Sequence, residues 1–340
     1  MKKFFLAFLV IILIGLGLSV YAYKMIYSPN LSLKESSTTH LYIRQGQSFD
    51  LLLDSLELKG IKNINSFQQV AKLMKFKQPK PGRYLLKDQW SNRDLVGQLR
   101  SGRQDPVSVT FNNLKKVDDL IGLLANKLEP DSIEIAAYLR TVISDTATNY
   151  TKDNLLSLFI PNTYEFYWNA SPKSIYERFK KENNKFYNPQ RLALLEALEL
   201  SKEEVYTLAS IVQKETLVND EKPRIAGVYL NRLKRGQLLQ ADPTVVYAVG
   251  DFSIRRVLNK HLAFDSPYNT YMYGGLPPGP ICMPDVSSID AVLNYERHKY
   301  LYFCASLDNT GRHLFAKTLI EHNRNADRYR RYLNQQKIYK

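Results

Sequence analysis

Cysteine and histidine are scarce in this 340-residue chain, with two of the first and five of the second. The histidines (His40, His261, His298, His313, His322) form no H-E-x-x-H pair, and Cys282 and Cys304 do not stand at zinc-binding spacing. That argues against a metal site, and no cofactor is expected. Two cysteines either pair or stay free, and their spacing leaves both outcomes open. Self-similarity at solenoid periods is also missing, which excludes a repeat array.

What is present is a folded composition, 44% hydrophobic with 23 tyrosines, and a formal charge of +14. Excess positive charge favours anionic partners such as acidic lipid headgroups or nucleic acid, and does not choose between them. The N-terminus does. Lys2 and Lys3 precede an uncharged run from Phe4 to Tyr23, which as a helix rises about 30 Å, one bilayer core. Residues 1–3 are then a cytoplasmic tail, 4–23 a transmembrane helix with Tyr21, Tyr23 and Tyr27 near its outer interface, and everything after Lys24 lies outside the cytoplasmic membrane. Nucleic acid is out of reach there. A cleaved signal peptide is the alternative, with Gly17-Leu18-Ser19 as the small residues, but the apolar run is longer than the ~7–15 residues of an ordinary signal core.

Residues 24–39 are expected to form a polar stalk. A small module over 40–105 follows, in β-α-α-β order: a strand at Leu41–Arg44, a helix capped by Ser48, another at Phe67–Met74, and a strand at Arg83–Leu86, with a further helix near Asn92–Leu99 closed by Gly102. It serves either as a binding module or as a structural collar. Residues 106–335 read as a helix-rich mixed domain with its core at 201–316, ahead of a tail at 336–340. The fold class is α+β. The aromatic segment Phe159–Trp168 is either core or a surface that lines a sugar groove. Ser201 and Glu204 form a capping box for a helix running to about Thr216, and Pro223 opens the next, which stops at Gly236. A rigid loop carries Gly274 to Pro280. Tyr300–Ala305 and Leu314-Phe315 make strands around an Asp308–Gly311 turn, and Thr318 with Glu321 caps a basic final helix.

At 100° per residue, Val205, Leu208, Ala209 and Val212 share one arc of the capped helix, and Glu215 falls inside it. A carboxylate aimed at apolar surface is neutralised, paired or used, because desolvation raises its pKa towards the range a general acid needs. The structural alternative is a salt bridge with Lys214, Lys222 or Arg224. Around it lie Gln240-Ala241-Asp242-Pro243-Thr244 and Ser266-Pro267-Tyr268-Asn269-Thr270-Tyr271, whose amides, hydroxyls and rings suit neutral polyhydroxylated substrates. Asp242 is the rival carboxylate, since a Glu/Asp pair would indicate an ordinary glycosidase.

Three blocks, Leu208–Thr216, Arg224–Leu233 and Leu239–Thr244, resemble the endolytic murein transglycosylase, or YceG-like, family. So do Ser266–Tyr271, Gly275–Ile281, Tyr300–Phe303 and His313–Phe315. The likeness spans about 160–335 and extends to the N-terminal helix and to the small module, which resembles the family's LysM-like domain. It places the catalytic Glu of the family's K-E-T motif on Glu215. Many members carry a second Glu two residues earlier, where this chain has Gln213. Departures stand at Phe111-Asn112-Asn113-Leu114 and Cys282-Met283.

The resemblance implies an inner-membrane, single-pass enzyme that acts on peptidoglycan glycan strands and meets the peptidoglycan synthases of the wall-building machinery. It implies non-hydrolytic cleavage of the bond between N-acetylmuramic acid and N-acetylglucosamine, giving 1,6-anhydro ends and limiting strand length. Substrate contacts are expected from Gln240, Asp242, Thr244, Tyr247, Tyr268, Asn269, Thr270, Tyr271, Leu276, Pro277, Pro278, His313 and Phe315. Two rival readings are a muramidase-type hydrolase using Glu215 with Asp242, and a non-enzymatic glycan-binding scaffold. Anhydro ends, reducing ends or no cleavage separate the three.

Overall fold

The computed structural model describes residues 2–33, 36–307 and 310–335. Met1, Lys34-Glu35 of the expected stalk, Asp308-Asn309 of the expected turn and the 336–340 tail lie outside the described residues. The chain divides into two compact units. One comprises the residues up to 109 with 125–131 and 165–171; the other comprises 110–124, 132–164 and the chain from 172 on.

The first unit begins with a helix, Lys2–Tyr27, of 26 residues. It is the one helix among the described residues that is long and apolar enough to cross a membrane. Its side chains from Phe4 to Val20 point outward with nothing packed on them. The last turn behaves differently, because Met25 and Ile26 pack against the core of the following module.

That module pairs Thr38–Ile43 antiparallel with Gly82–Lys87, Leu41 opposite Tyr84. Period-two alternation buries Leu41 and Ile43 and leaves Tyr42 outside. Helix Phe49–Leu58 starts at Ser48, whose hydroxyl accepts from the Leu51 N–H, and it buries Leu52, Leu53 and Leu56. Helix Ile64–Leu73 is capped by Asn63, and Asn92–Ser101 by a Ser91/Asp94 capping box. Their apolar faces close over the sheet, with Phe67, Leu95 and Leu99 fully buried.

The expected stalk is not free chain. Leu31 is fully buried in the module core, and Pro29 and Leu31 form β-bridges to Ser91 and Ile61. Asn30 donates to the Asn63 carbonyl at 2.9 Å and to Asn92 Oδ1 at 2.6 Å, and Asn92 donates to the Met25 carbonyl at 2.9 Å. One buried leucine beside one asparagine makes no periodic pattern, so a polar composition concealed a packed segment. The first strand likewise begins at Thr38, inside the range read as stalk.

In the second unit the helix Lys202–Glu215 is central. Its residues Val205 to Val212 are all buried, enclosed by helices Lys222–Lys234, Asp242–Val249 and Val286–Leu293. The Ser201/Glu204 box opens it as expected. Helices Val117–Ala125, Ser132–Ser144, Pro172–Phe186 and Pro189–Leu198 precede it. Thr110-Phe111 and Asn162–Tyr164, this unit's parts of the strands Val107–Phe111 and Asn162–Phe166, lie side by side. The aromatic segment is core except at Tyr167, which is exposed: Phe159 and Tyr164 are buried, each edge-on to Phe179 with ring centroids 5.0 Å apart. A hairpin of Tyr302–Ala305 with His313–Ala316, Phe303 opposite Phe315, leads to the final helix Leu319–Gln335. Both cysteines are unpaired. Burial pushes the Cys282 thiol up to about 11, which leaves it protonated and unreactive at neutral pH.

The Pro/Gly loop is pinned by backbone contacts. The Ile281 N–H donates to Ser210 Oγ at 3.0 Å and the Met283 N–H to the Leu114 carbonyl at 2.7 Å. A Cβ on Gly279 would stand 2.0 Å from the Asp153 carbonyl oxygen, whereas one on Gly274 would meet nothing within 4 Å. Gly279→Ala therefore forces backbone apart. It is expected to lower stability by about 1–3 kcal/mol, a fall of several degrees in Tm, with Gly274→Ala as the near-neutral control. Equal melting temperatures for the two variants would refute the close approach.

Candidate active site

Glu215 is the last residue of its helix, and Thr216 leaves in extended conformation. The unpaired carbonyls of a helix C-terminus carry partial negative charge, which disfavours a carboxylate there. Because the helix is buried on all sides from Val205 to Val212, the apolar arc does not single Glu215 out. Its position where the helix emerges does. The carboxyl Oε1 accepts a hydrogen bond from the Tyr229 hydroxyl at 2.6 Å. Tyr229 is 2% exposed, and burial and the neighbouring Glu215 hold its phenol well above the usual tyrosine range. It remains the donor.

Burial raises the Glu215 pKa from the ordinary 4.5 to about 7, against the pull of the Tyr229 hydrogen bond; the charge of Asp242 adds to the rise and Arg232 offsets part of it. The cations that would make Glu215 a structural salt bridge are engaged elsewhere. Lys214 donates to Asn113 Oδ1, Lys222 to Gln213 Oε1 and Ser287 Oγ, and Arg224 pairs with Glu296 at 2.9 Å.

Two open hollows meet at Glu215 and Asp242. One, of about 290 Å³, is lined by Tyr229, Arg232, Gln240, Tyr271, Tyr302, Phe303 and His322 among others. The second, of about 350 Å³, carries Lys214, Pro243, Tyr247, Phe252 and Arg255. Aromatic faces with few, placed polar groups are what a glycan offers partners for. Asp242 is exposed at the first turn of helix Asp242–Val249 and accepts from the Tyr271 hydroxyl at 2.6 Å. Gln240, on the rim, holds a left-handed backbone (φ 50°) that a non-glycine residue adopts at some cost.

The profile of the YceG-like family matches residues 41–328. The chain belongs to that family. An endolytic murein transglycosylase of Bacillus subtilis is 30% identical over 314 residues, 87% of this chain and 86% of the relative. One from Streptococcus pneumoniae strain D39 is 26% identical over 359 residues, covering 96% of this chain and 65% of the longer relative. The crystal structure of a YceG-like protein from Listeria monocytogenes superposes with a TM-score of 0.51 at 28% identity, covering 85% of this chain and 98% of that one.

Within this YceG-like chain the expected contact residues separate into groups. Gln240, Asp242, Tyr247 and Tyr271 line the hollows beside Glu215. Tyr268 packs against Tyr247 with tilted rings whose centroids are 4.7 Å apart, and it opens onto a neighbouring cavity. Thr244, Asn269 and Thr270 do not reach the surface. They are at most 1% exposed. Thr244 Oγ1 sits 2.8 Å from Thr270 Oγ1, Thr270 Oγ1 accepts from the Ala241 N–H, and Asn269 donates to the Leu262 and Phe264 carbonyls. These short polar side chains replace water for loop backbone, and so hold Gln240 and Tyr271 in place.

Leu276, Pro277 and Pro278 line neither hollow, since their loop is tied down onto the Glu215 helix. His313 is spent on Glu221, with Nδ1 3.1 Å from Oε2, and Phe315 packs on Tyr300 beneath Arg224. Sequence reasoning missed Tyr229, Arg232, Tyr302, Phe303 and His322. Tyr229 and Arg232 carried a usable signal: spaced i, i+3, they share a face of the helix that follows Glu215. The other three carried none, because a tyrosine and a phenylalanine in a short strand read as core.

Proposed function

We propose that this chain cuts the β-1,4 bond between N-acetylmuramic acid and N-acetylglucosamine in peptidoglycan strands without water, leaving 1,6-anhydro ends, with Glu215 as the sole acid and base. The chain is a lytic transglycosylase. The observation that supports the finer reading is a carboxyl, half protonated near neutrality and with its candidate salt-bridge cations Lys214, Lys222 and Arg224 engaged elsewhere, at the junction of two open hollows. A hollow on each side gives a strand room to run past the acid, which suits attack on internal bonds.

Glu215 donates its proton to the departing glycosidic oxygen, and the carboxylate so formed takes the hydroxyl proton from C6 of the muramic residue as that oxygen closes on C1. The acid is regenerated each turnover. Tyr229 stabilises the carboxylate between the two transfers, and the nucleophile belongs to the substrate, so one protein carboxyl suffices. Because Asp242 lines both hollows with Glu215, a two-carboxylate hydrolase is the specific rival. Mass spectrometry of digested sacculi decides: anhydro ends support the single-carboxyl reaction and reducing ends the hydrolase.

We further infer that the apolar helix anchors the protein in the cytoplasmic membrane, with Lys2-Lys3 inside and the enzyme outside, where it works beside peptidoglycan synthases. The small module, with its βααβ order, is read as LysM-like and as a positioning or glycan-touching element. The protein is expected to stay with membranes through alkaline carbonate washing and to be cut by protease added to spheroplasts. Recovery as a soluble protein starting near Val20 would overturn the anchor.

A further inference from the structure

A cavity of about 750 Å³ in the second unit, larger than either hollow beside Glu215, does not include that residue. Its lining combines apolar side chains from the Ser132–Ser144 helix with four cations, Lys115, Lys116, Arg140 and Lys152, and two carboxylates, Asp118 and Asp153. Lys116, Arg140 and Lys152 make no side-chain ion pair or hydrogen bond among the described residues. A glycan without stems offers them only its lactyl carboxylates, because its hydroxyls and acetamides are neutral.

The cavity adjoins the cleft. Tyr247 lines both this cavity and the hollow beside Glu215. Tyr268, packed against Tyr247, donates to Asp153 Oδ1 at 3.3 Å, and the Lys115 ammonium lies 4.0 Å over the ring of Phe252, itself a wall of that hollow. A branch of a strand lying past Glu215 would meet this cavity on the far side of Tyr247.

We propose that this cavity binds the peptide stem that muramic acid carries on its lactyl group, so that the enzyme reads stem-bearing strands. This rests on the transglycosylase reading of the Glu215 cleft. A stem is a short peptide with free carboxylates, an amino side chain and small apolar residues. Four cations, two carboxylates and an aliphatic floor complement it. The pyrophosphate of a lipid-linked strand is the competing anion, and Asp118 and Asp153 would oppose it while the aliphatic floor would have nothing to cover.

The test is calorimetric binding to the full chain in detergent carrying Glu215→Gln, using two muramic-containing tetrasaccharides, one with stems and one stripped of them by an amidase. The stem-bearing ligand is expected to bind about tenfold tighter. Replacing Lys116, Arg140 and Lys152 together by alanine should bring the ratio to within about twofold, and so should Ala136→Trp, which fills the cavity without changing charge. A ratio near one in the Glu215→Gln protein, or a ratio that survives Ala136→Trp, overturns the proposal. Inorganic pyrophosphate competing where free stem peptide does not would reassign the cavity to a lipid-linked strand end. Failure of the transglycosylase reading would show separately, as absence of anhydro ends from the unsubstituted enzyme whatever the binding ratio.

Discussion

Replacing Glu215 by glutamine is expected to reduce formation of anhydro ends by at least about 10³-fold, because general acid and base roles each contribute roughly 10²–10⁴ and one side chain holds both. The amide still accepts from Tyr229, so the fold should persist. Asp242→Asn keeps the bond from Tyr271 and is expected to cost less than about tenfold. Stability supplies an independent readout. The folded-state pKa of Glu215 lies above its unfolded value, so ionising it costs nothing below pH 4.5, costs progressively more up to about pH 7, and costs a constant amount above that. The shift corresponds to at most about 3 kcal/mol, and partial exposure to solvent reduces it to roughly 1–2 kcal/mol. Glu215→Gln should therefore melt higher than the parent at pH 8 and at the same temperature at pH 4.5. An active Glu215→Gln enzyme would sink the mechanism. Equal losses in both variants, with reducing ends from the parent, would favour the two-carboxylate hydrolase.

The second large effect concerns pH and Tyr229. An acid that must be protonated in the free enzyme gives a kcat/KM that falls as pH rises through its pKa, here about 7. A carboxyl at the ordinary 4.5 would have lost activity well before neutrality. Removing the hydroxyl in Tyr229→Phe withdraws a hydrogen bond that favours the carboxylate, so the Glu215 pKa moves up and the falling limb moves to higher pH. The variant should also lose about 10–100-fold in rate at pH 6, since a hydrogen bond to a charged group is worth about 1.5–3 kcal/mol and stabilises the carboxylate made on proton transfer. A limb that stays in place would mean Tyr229 serves only packing. A limb that moves to lower pH would mean it serves as something other than a donor to Glu215.

Much of this site could be read from the chain, and the parts that could were local. Ser201 and Glu204 announced a helix start, the spacing to Glu215 placed a carboxylate on protected surface, and Pro223 began the following helix one residue from where Lys222 opens it. What failed followed a common cause. Thr244, Asn269 and Thr270 have the chemistry of sugar-binding groups and the same chemistry satisfies buried backbone; only their exposure separates the two uses. His313 has a free imidazole in sequence and a carboxylate partner, Glu221, 92 residues away in the fold. The segment around Asn30 and Leu31 reads as linker because its partners, Asn63, Asn92 and Ile61, lie on other elements.

The sequence by itself determined that an apolar helix begins the chain, that the body is helix-rich α+β, and that Glu215 falls on the apolar arc near the end of a capped helix. Each of these depends on periodicity, capping or composition within some twenty residues, which nearest-neighbour physics governs. Only the tertiary structure decided that Tyr229 donates to that carboxyl, that its candidate cations are spent elsewhere, and that two hollows converge on it. Those facts depend on which side chains are brought together and how much water is shut out. Desolvation, which sets whether Glu215 is an acid or an ordinary surface charge, is a property of the enclosed space and not of any residue in the list.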